Sequence, residues 1–421
     1  MNKAWGMIKD PVHGFVHIYK IEKDVIDTLP LQRLRRIKQL VFVDLVYPGA
    51  NHTRFEHSIG VMHLAGMVCK ALPIDINNEE IQMIRLSALF HDLGHGPFSH
   101  TFESILIKKL NKTHEDLTPW IIKGTELKDI LESYGFSVED IAELSIGKWK
   151  KGRKFFNQII SSAIDVDKMD FLVRDTHHTG AEYGKVDIHR LIYTMNVIDD
   201  NLLIDSSAIP TLEAFLIARL ESFKAIYFHK TARAAQILLV KALEAADEEL
   251  GICSFKSPEE YVKMDDYSIW YLLKQCNKSS KIMEAIEKRQ LLKCSYEREL
   301  KVEDKTLASL INLESIRKRL EEEIANIAGI SNEEVFIDTP TLPSIPYKHA
   351  LDFDPMEIPI LDIEENKKRV LKATEISKTI EVLRGFLNIV RVYTYPQYRE
   401  KVREAAEKVL GGIPNSARVS Y

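Results

Sequence analysis

The sequence predicts a mainly α-helical protein, with a large helical core over residues 1–290 and a smaller α+β lobe over residues 291–421. Three observations carry this expectation. From Asp24 onward apolar residues recur at helical spacing, as in VIDTLPLQRLRRIKQL and RFEHSIGVMHLAGMVCKAL. Beyond about residue 290 short β-rich runs appear: LLKCSYEREL, EVFIDT and IVRVYTY. A chain of 421 residues, 45% hydrophobic and 28% charged, is long enough to bury more than one core. No Gly/Ser-rich linker divides the two units, so they are expected to pack firmly.

In order along the chain, residues 1–20 read as short strands around a turn. IKDPVHG supplies Pro and Gly, and FVHIY alternates apolar and polar positions. NNEEIQMIRLSALFHDLGHG opens on an asparagine suited to cap a helix and ends in glycines. Residues 155–175, 186–197 and 210–250 read as further helices, IPTLEAFLIARL starting at a proline as helices often do. In the lobe, the helix LINLESIRKRLEEEIANIA and the Pro-rich TLPSIPY separate the strands.

Composition excludes some functions. The formal net charge of -5 gives no overall basic field, which argues against a dedicated nucleic-acid partner. Cys69, Cys253, Cys276 and Cys294 form no C-x-x-C pair, so neither a zinc ribbon nor a redox dithiol is signalled, and a reduced, cytoplasmic setting is expected. The N-terminus has no apolar signal core and no run of 18 apolar residues occurs, so no membrane span is expected.

The segment HDLGHGPFSH carries the chemistry. His91, Asp92 and His95 sit at the end of the apolar run IRLSALF, where burying them unpaired is costly. A divalent transition metal is one partner that imidazole and carboxylate donors suit together. RFEHSIGV adds His57 on an otherwise apolar helix, beside Arg54. IDVDKMDFLVRD packs Asp165, Asp167, Asp170 and Asp175 with Lys168 and Arg174 into a strongly apolar stretch, which is a poor match for a merely solvated acidic face.

These segments, with DPVHG, LQRLRRIKQL, YPGANHTRFEHSIGV and IDVDKMDFLVRDTHHTG in the same order, resemble the HD-domain superfamily of metal phosphohydrolases. The likeness is closest to the deoxynucleoside triphosphate triphosphohydrolases related to the SAM-and-HD-domain protein. It runs strongly from about residue 8 to 240 and weakly beyond, with no SAM domain in front. The resemblance implies a helical HD core and one divalent transition metal (Fe, Mn, Ni or Zn) per subunit on His57, His91, Asp92 and Asp167, with Mg or Mn on the nucleotide phosphates. The implied reaction is attack of water at the α-phosphorus of a dNTP, releasing deoxynucleoside and triphosphate. Arg54, Lys168 and Arg219 then hold phosphates. His95, His100 and His114 are candidates for proton transfer and phosphate contact, Glu103 partnering His100 one turn away and Glu115 pairing with His114. Gln39, Leu40 and Asp175 border the 3′-hydroxyl, and Tyr227 crowds the 2′ position. Phe171 departs from the family tyrosine and removes one hydrogen bond from that pocket. His177 and His178 match the family as structural residues.

The resemblance also implies a homo-oligomer, a tetramer in relatives, activated by GTP or dGTP. Asp27, Gln32 and Arg35 match a guanine-reading site, although Gly6 stands where a lysine is expected. Arg190, His229, Lys230, Arg289 and Lys293 match contacts to a second nucleotide. The rival readings are another HD-type nucleotidase or phosphodiesterase, and a non-catalytic nucleotide-binding scaffold. The chain lacks the GYP-ending motif of cyclic-dinucleotide enzymes and carries GHGPFSH where alarmone hydrolases have an acidic pair.

Overall fold

The computed structural model describes residues 4–300, 313–340, 358–364, 367–383 and 388–411. The chain opens with an antiparallel hairpin, β1 (Gly6–Asp10) and β2 (Gly14–Ile18). Its turn is closed by Asp10, whose carboxylate accepts the Val12 and His13 amides at 2.8 Å each. Gly14 at φ 76° completes it, a conformation open to glycine at little steric cost.

The helix Arg54–Ala71 is the spine of the core. Phe55, Ile59 and Met62 face one apolar cluster, while Val61, Leu64, Ala65 and Val68 face another. A helix apolar on all sides must be buried on all sides. The helix Asn78–Phe90 packs beside it and starts as the sequence indicates, with Asn77 accepting the Glu79 and Glu80 amides at 2.9 Å. The first cluster extends to the long helix Lys230–Leu250, and the second takes in Phe155, Phe156, Met169, Leu172 and Phe215.

Several boundaries differ from expectation. Residues 155–175 form two helices, Lys154–Ile160 and Val166–Thr179, because the Asp165 carboxylate caps the second by accepting the Lys168 amide at 2.8 Å. Within 186–197 only Ile188–Tyr193 is helical, and the chain then turns into β3 (Met195–Ile198) and β4 (Asn201–Asp205). The stretch 210–250 is broken by a π-helical turn at Phe223–Tyr227.

The lobe contains β5 (Lys293–Leu300), β6 (Val335–Asp338) and β9 (Asn388–Thr394), paired antiparallel in the order β5-β9-β6. The helices Glu314–Ala328 and Arg399–Leu410 cover this sheet through Ile324, Ala325, Val402, Ala405 and Ala406. TLPSIPY lies outside the described residues. A second sheet, order β3-β4-β7-β8, joins β7 (Pro359–Glu364) and β8 (Lys367–Lys372) to the earlier hairpin. β4 and β7 run parallel, with Ile204 opposite Ile360, so this sheet spans the division expected at residue 290. Among the described residues no helix is long and apolar enough to cross a membrane.

Candidate metal centre and its surroundings

Three elements bring His57, His91, Asp92 and Asp167 together. His57 lies in the first turn of the spine helix, His91 and Asp92 follow the end of Asn78–Phe90, and Asp167 lies in the first turn of Val166–Thr179. His57 Nε2 is 3.0 Å from Asp167 Oδ1, 3.2 Å from His91 Nε2 and 3.7 Å from Asp92 Oδ2. His91 Nε2 is 3.2 Å from Asp92 Oδ1 and 3.7 Å from Asp167 Oδ1. A divalent ion with donors at about 2.1 Å sets neighbouring donors about 3.0 to 3.4 Å apart. His57, His91 and Asp92 lie close enough together to share one ion, and Asp167 approaches the two imidazoles at 3.0 and 3.7 Å.

The imidazole tautomers fit as well. His57 Nδ1 faces Asp170 Oδ2 at 2.8 Å and His91 Nδ1 faces the Ala88 carbonyl at 2.8 Å. Both acceptors can take an Nδ1 proton, so Nε2 is the nitrogen that each ring turns toward the centre, and a metal binding there displaces any proton on it. Burial disfavours a charge on His57, yet Asp167, Asp170 and Asp92 raise its pKa to about 10. Burial also opposes ionisation of Asp92 and Asp167. Arg54, His91 and His57 hold Asp92 below the usual carboxylate range, and hydrogen bonds with His57 and His91 do so for Asp167. The donor set suits a divalent metal.

Behind the ligands is a network that the sequence reading assigned no role. Asp170 is fully buried and accepts from His13 Nε2 at 2.6 Å, from Arg174 Nε at 2.8 Å and Nη2 at 2.9 Å, and from His57. Arg174 also reaches Asp10 at 2.9 Å. The hairpin turn DPVHG thus buttresses His57. The i, i+3 and i, i+4 spacing of Asp167, Asp170 and Arg174 was the available signal.

Beside the quartet, His95 stacks on His114 with ring centres 3.9 Å apart, and His100 stands edge-on to His95 at 4.8 Å. Glu103 joins the outer two, 3.0 Å from His100 Nδ1 and 2.6 Å from His114 Nδ1. The expected pairing of His114 with Glu115 is not found. Adjacent helical residues point apart, and Glu115 pairs with Lys148 at 2.9 Å. Burial lowers the His114 pKa but Glu103 outweighs it, so the net direction is up. Burial and the neighbouring cations, Arg54 first, keep His95 neutral, and its Nδ1 is buried with no partner.

Arg54 is buried and bonds Asp92 Oδ2 through Nη1 at 2.6 Å. Lys168 bonds Asp165 at 2.5 Å. Burial lowers the Arg219 pKa, against the nearby charges of Asp165 and Asp167, and Arg219 Nε is buried without a partner. Gln39 Oε1 is likewise buried and unpaired. Asp175 accepts from His52 Nε2 at 2.7 Å and from the Tyr227 hydroxyl. Phe171 meets Tyr227 edge-on at 6.1 Å, and Leu40 packs in the small cluster that Tyr227 borders. His52 was missed in sequence reading. It stacks on His178 at 4.5 Å, while His177 is exposed.

The other predicted group is dispersed. Arg35 Nε donates to Gln32 Oε1 at 3.0 Å and its guanidinium covers the Phe55 ring at 3.6 Å, while Asp27 pairs with Lys23 at 2.9 Å. His229 caps the helix Lys230–Leu250, Lys230 pairs with Glu297 at 3.1 Å, and Arg289 reaches the Leu45 carbonyl at 3.4 Å. Lys293 begins β5. Arg190 instead donates to the Ser207 carbonyl at 2.9 Å.

Residues 54–175 match the HD domain family, and residues 186–419 match the HD associated region. The uncharacterized protein YwfO of Bacillus subtilis is 38% identical over 63% of this chain and 65% of its own length. The deoxynucleoside triphosphate triphosphohydrolase SAMHD1 homolog of Dictyostelium discoideum is 32% identical over 80% of this chain and 67% of its own. The alignment with the uncharacterized protein MJ1154 of Methanocaldococcus jannaschii, at 33% identity, spans 58% of that protein, so the chain covers less than two thirds of both uncharacterized relatives. A crystal structure of a hypothetical protein from Aquifex aeolicus superimposes with a TM-score of 0.76 at 30% identity, over 95% of this chain and 99% of that one.

Proposed function

The chain belongs to the HD-domain family that carries an HD associated region, and from that membership we propose that it hydrolyses deoxynucleoside triphosphates to deoxynucleoside and inorganic triphosphate. One observation carries the proposal: a cluster of two imidazoles and two carboxylates with both Nε2 atoms turned inward, beside buried polar atoms without partners on His95 and Arg219. Buried polar groups without partners are rare and costly, so a polar ligand that pairs with them is favoured there.

The proposed ligands are His57, His91, Asp92 and Asp167, for Fe, Mn, Ni or Zn. A metal bound there supplies Lewis acidity and lowers the pKa of water. The chain's own groups do the rest. Arg54, Lys168 and Arg219 offset a triphosphate carrying about four negative charges. In this reading His100 or His114, both held by Glu103, protonates the departing 5′-oxygen, and neutral His95 forms a hydrogen-bonding wall. Gln39, Leu40, Phe171, Asp175 and Tyr227 enclose the sugar, with Phe171 offering packing alone. The proposal extends to a cytoplasmic homo-oligomer with a GTP or dGTP activator read by Asp27, Gln32 and Arg35.

The test is to incubate the protein with each dNTP and NTP, singly and in mixtures, with Mg²⁺ or Mn²⁺, and identify the phosphate product. Triphosphate from dNTPs is expected. Release of orthophosphate alone would replace the assignment with a nucleotidase.

A further inference from the structure

Two adjacent residues before His100 hold backbone conformations that side chains disfavour. Phe98 has φ 59°, and Ser99 has φ 53° with ψ -126°. Strain of this kind persists where surrounding contacts over-determine it. Here the contacts converge from two sides. On one side, Ser99 Oγ accepts from Arg54 Nε at 2.7 Å and donates to the Lys38 carbonyl at 2.8 Å, and Arg54 continues to the predicted ligand Asp92. On the other side stands Asp266, at the start of the helix Asp266–Gln275. Its Oδ1 accepts the Phe98 amide at 2.6 Å and its Oδ2 accepts the Lys38 amide at 2.9 Å. Trp270 on the same helix packs against Phe98, ring centres 6.2 Å apart.

We propose that Asp266 is a positioning residue for the active centre: it clamps the strained Phe98–Ser99 turn, and through it fixes His100. Two oxygens on one carboxylate thus bridge the backbone at Lys38 to the backbone at Phe98, beside the Ser99 contacts. Burial lifts Asp266 to about 6, so at neutral pH it is ionised and both oxygens accept. Without it, the turn can relax to ordinary backbone angles, and the side chain that follows swings with it. Asp266 touches none of the four predicted ligands, so its removal is expected to spare metal binding and act on turnover.

Asp266→Asn keeps the shape but turns a donor toward one of the two amides. The inference rests on the proposed hydrolysis, so the wild-type protein is assayed first with dATP and GTP in Mn²⁺. If it turns over no nucleotide, the proposed function fails, and the clamp is read instead from amide hydrogen exchange at Phe98. That exchange is expected to be at least ten-fold faster in Asp266→Asn at unchanged melting temperature, and unchanged exchange overturns the clamp. If the wild type is active, Asp266→Asn should lower kcat at least ten-fold, with KM and metal content within two-fold. A merely structural role would instead lower the melting temperature and metal content along with activity. Ser99→Gly supplies the second arm, because glycine adopts these angles without strain. In the Ser99→Gly background Asp266→Asn should cost less than three-fold. Equal, additive losses in both backgrounds would overturn the proposal.

Discussion

Asp170→Asn tests the centre from one shell out. The carboxylate takes four hydrogen bonds: His13 and Arg174 Nη2 on Oδ1, His57 and Arg174 Nε on Oδ2. An asparagine offers one acceptor oxygen and one NH₂, so two of the four donors must face a donor. If the NH₂ lies toward His57, that ring either loses its partner or accepts from it. Accepting moves the His57 proton to Nε2, the nitrogen that points at His91, Asp92 and Asp167, and removes the lone pair a metal needs. Loss of a residue that holds a ligand's other ring nitrogen costs about 10–100-fold in metal affinity. The substitution also leaves the fully buried Arg174 with Asp10 as its remaining carboxylate partner in this network. Breaking a buried pair costs about 3–5 kcal/mol. With an unfolding entropy of about 2.1 cal/mol/K per residue over 421 residues, that is a fall of about 5 °C in Tm. Competition with a chelator, followed by elemental analysis, reads the affinity, and calorimetry reads Tm. Metal affinity within two-fold of wild type would refute the argument that Asp170 fixes the His57 tautomer.

Three further outcomes are expected. Asp167→Ala should abolish turnover and lower bound metal, with the fold retained, since the charge of a half-buried carboxylate is removed along with the ion. Glu103→Gln should lower the His114 pKa, because the Glu103 charge is what raises it above the effect of burial. The basic limb of the pH–rate profile then moves to lower pH, as does the histidine titration seen by NMR, and an unmoved limb would remove His114 from proton transfer. The contribution of the His114–Glu103 pair to stability should likewise be present below the unfolded histidine pKa and lost as pH rises through the raised folded value. Arg35→Ala should weaken activation of dATP hydrolysis by GTP while sparing metal. Equal dATP rates with and without GTP in the wild type would make Asp27, Gln32 and Arg35 plain surface.

The site was legible in sequence where chemistry interrupted a pattern. His57, His91 and Asp167 break apolar helices, and a buried ionisable group on such a face needs a partner. His13, His52 and Asp266 were not legible, because nothing local marks them. Their meaning comes from partners more than a hundred residues away, as with His13 and Asp170 or His52 and Asp175. The same holds for the fold. The Asn77 cap could be read from its neighbours, whereas β3 and β4 hide in short runs whose strand character depends on β7. The Asp165 cap was present in the sequence, yet the apolar residues on both sides masked the break it makes. The π-helical turn before Phe228 carries no local signal of its own.

The parallel pairing of β4 with β7 has a consequence for how the chain is made. Ile204 finds Ile360 only after more than 150 further residues have left the ribosome. Until then β4 presents an unpaired edge, and contacts of such sequence separation are slow to close. The buried Ile360 belongs to the second apolar cluster, so that cluster stays incomplete until this late segment is made. Synthesis that pauses before residue 360 leaves an edge open to pairing with other chains. A chain cut near residue 290 keeps all four predicted metal ligands but never gains that strand, and its expected failure is aggregation rather than an altered reaction.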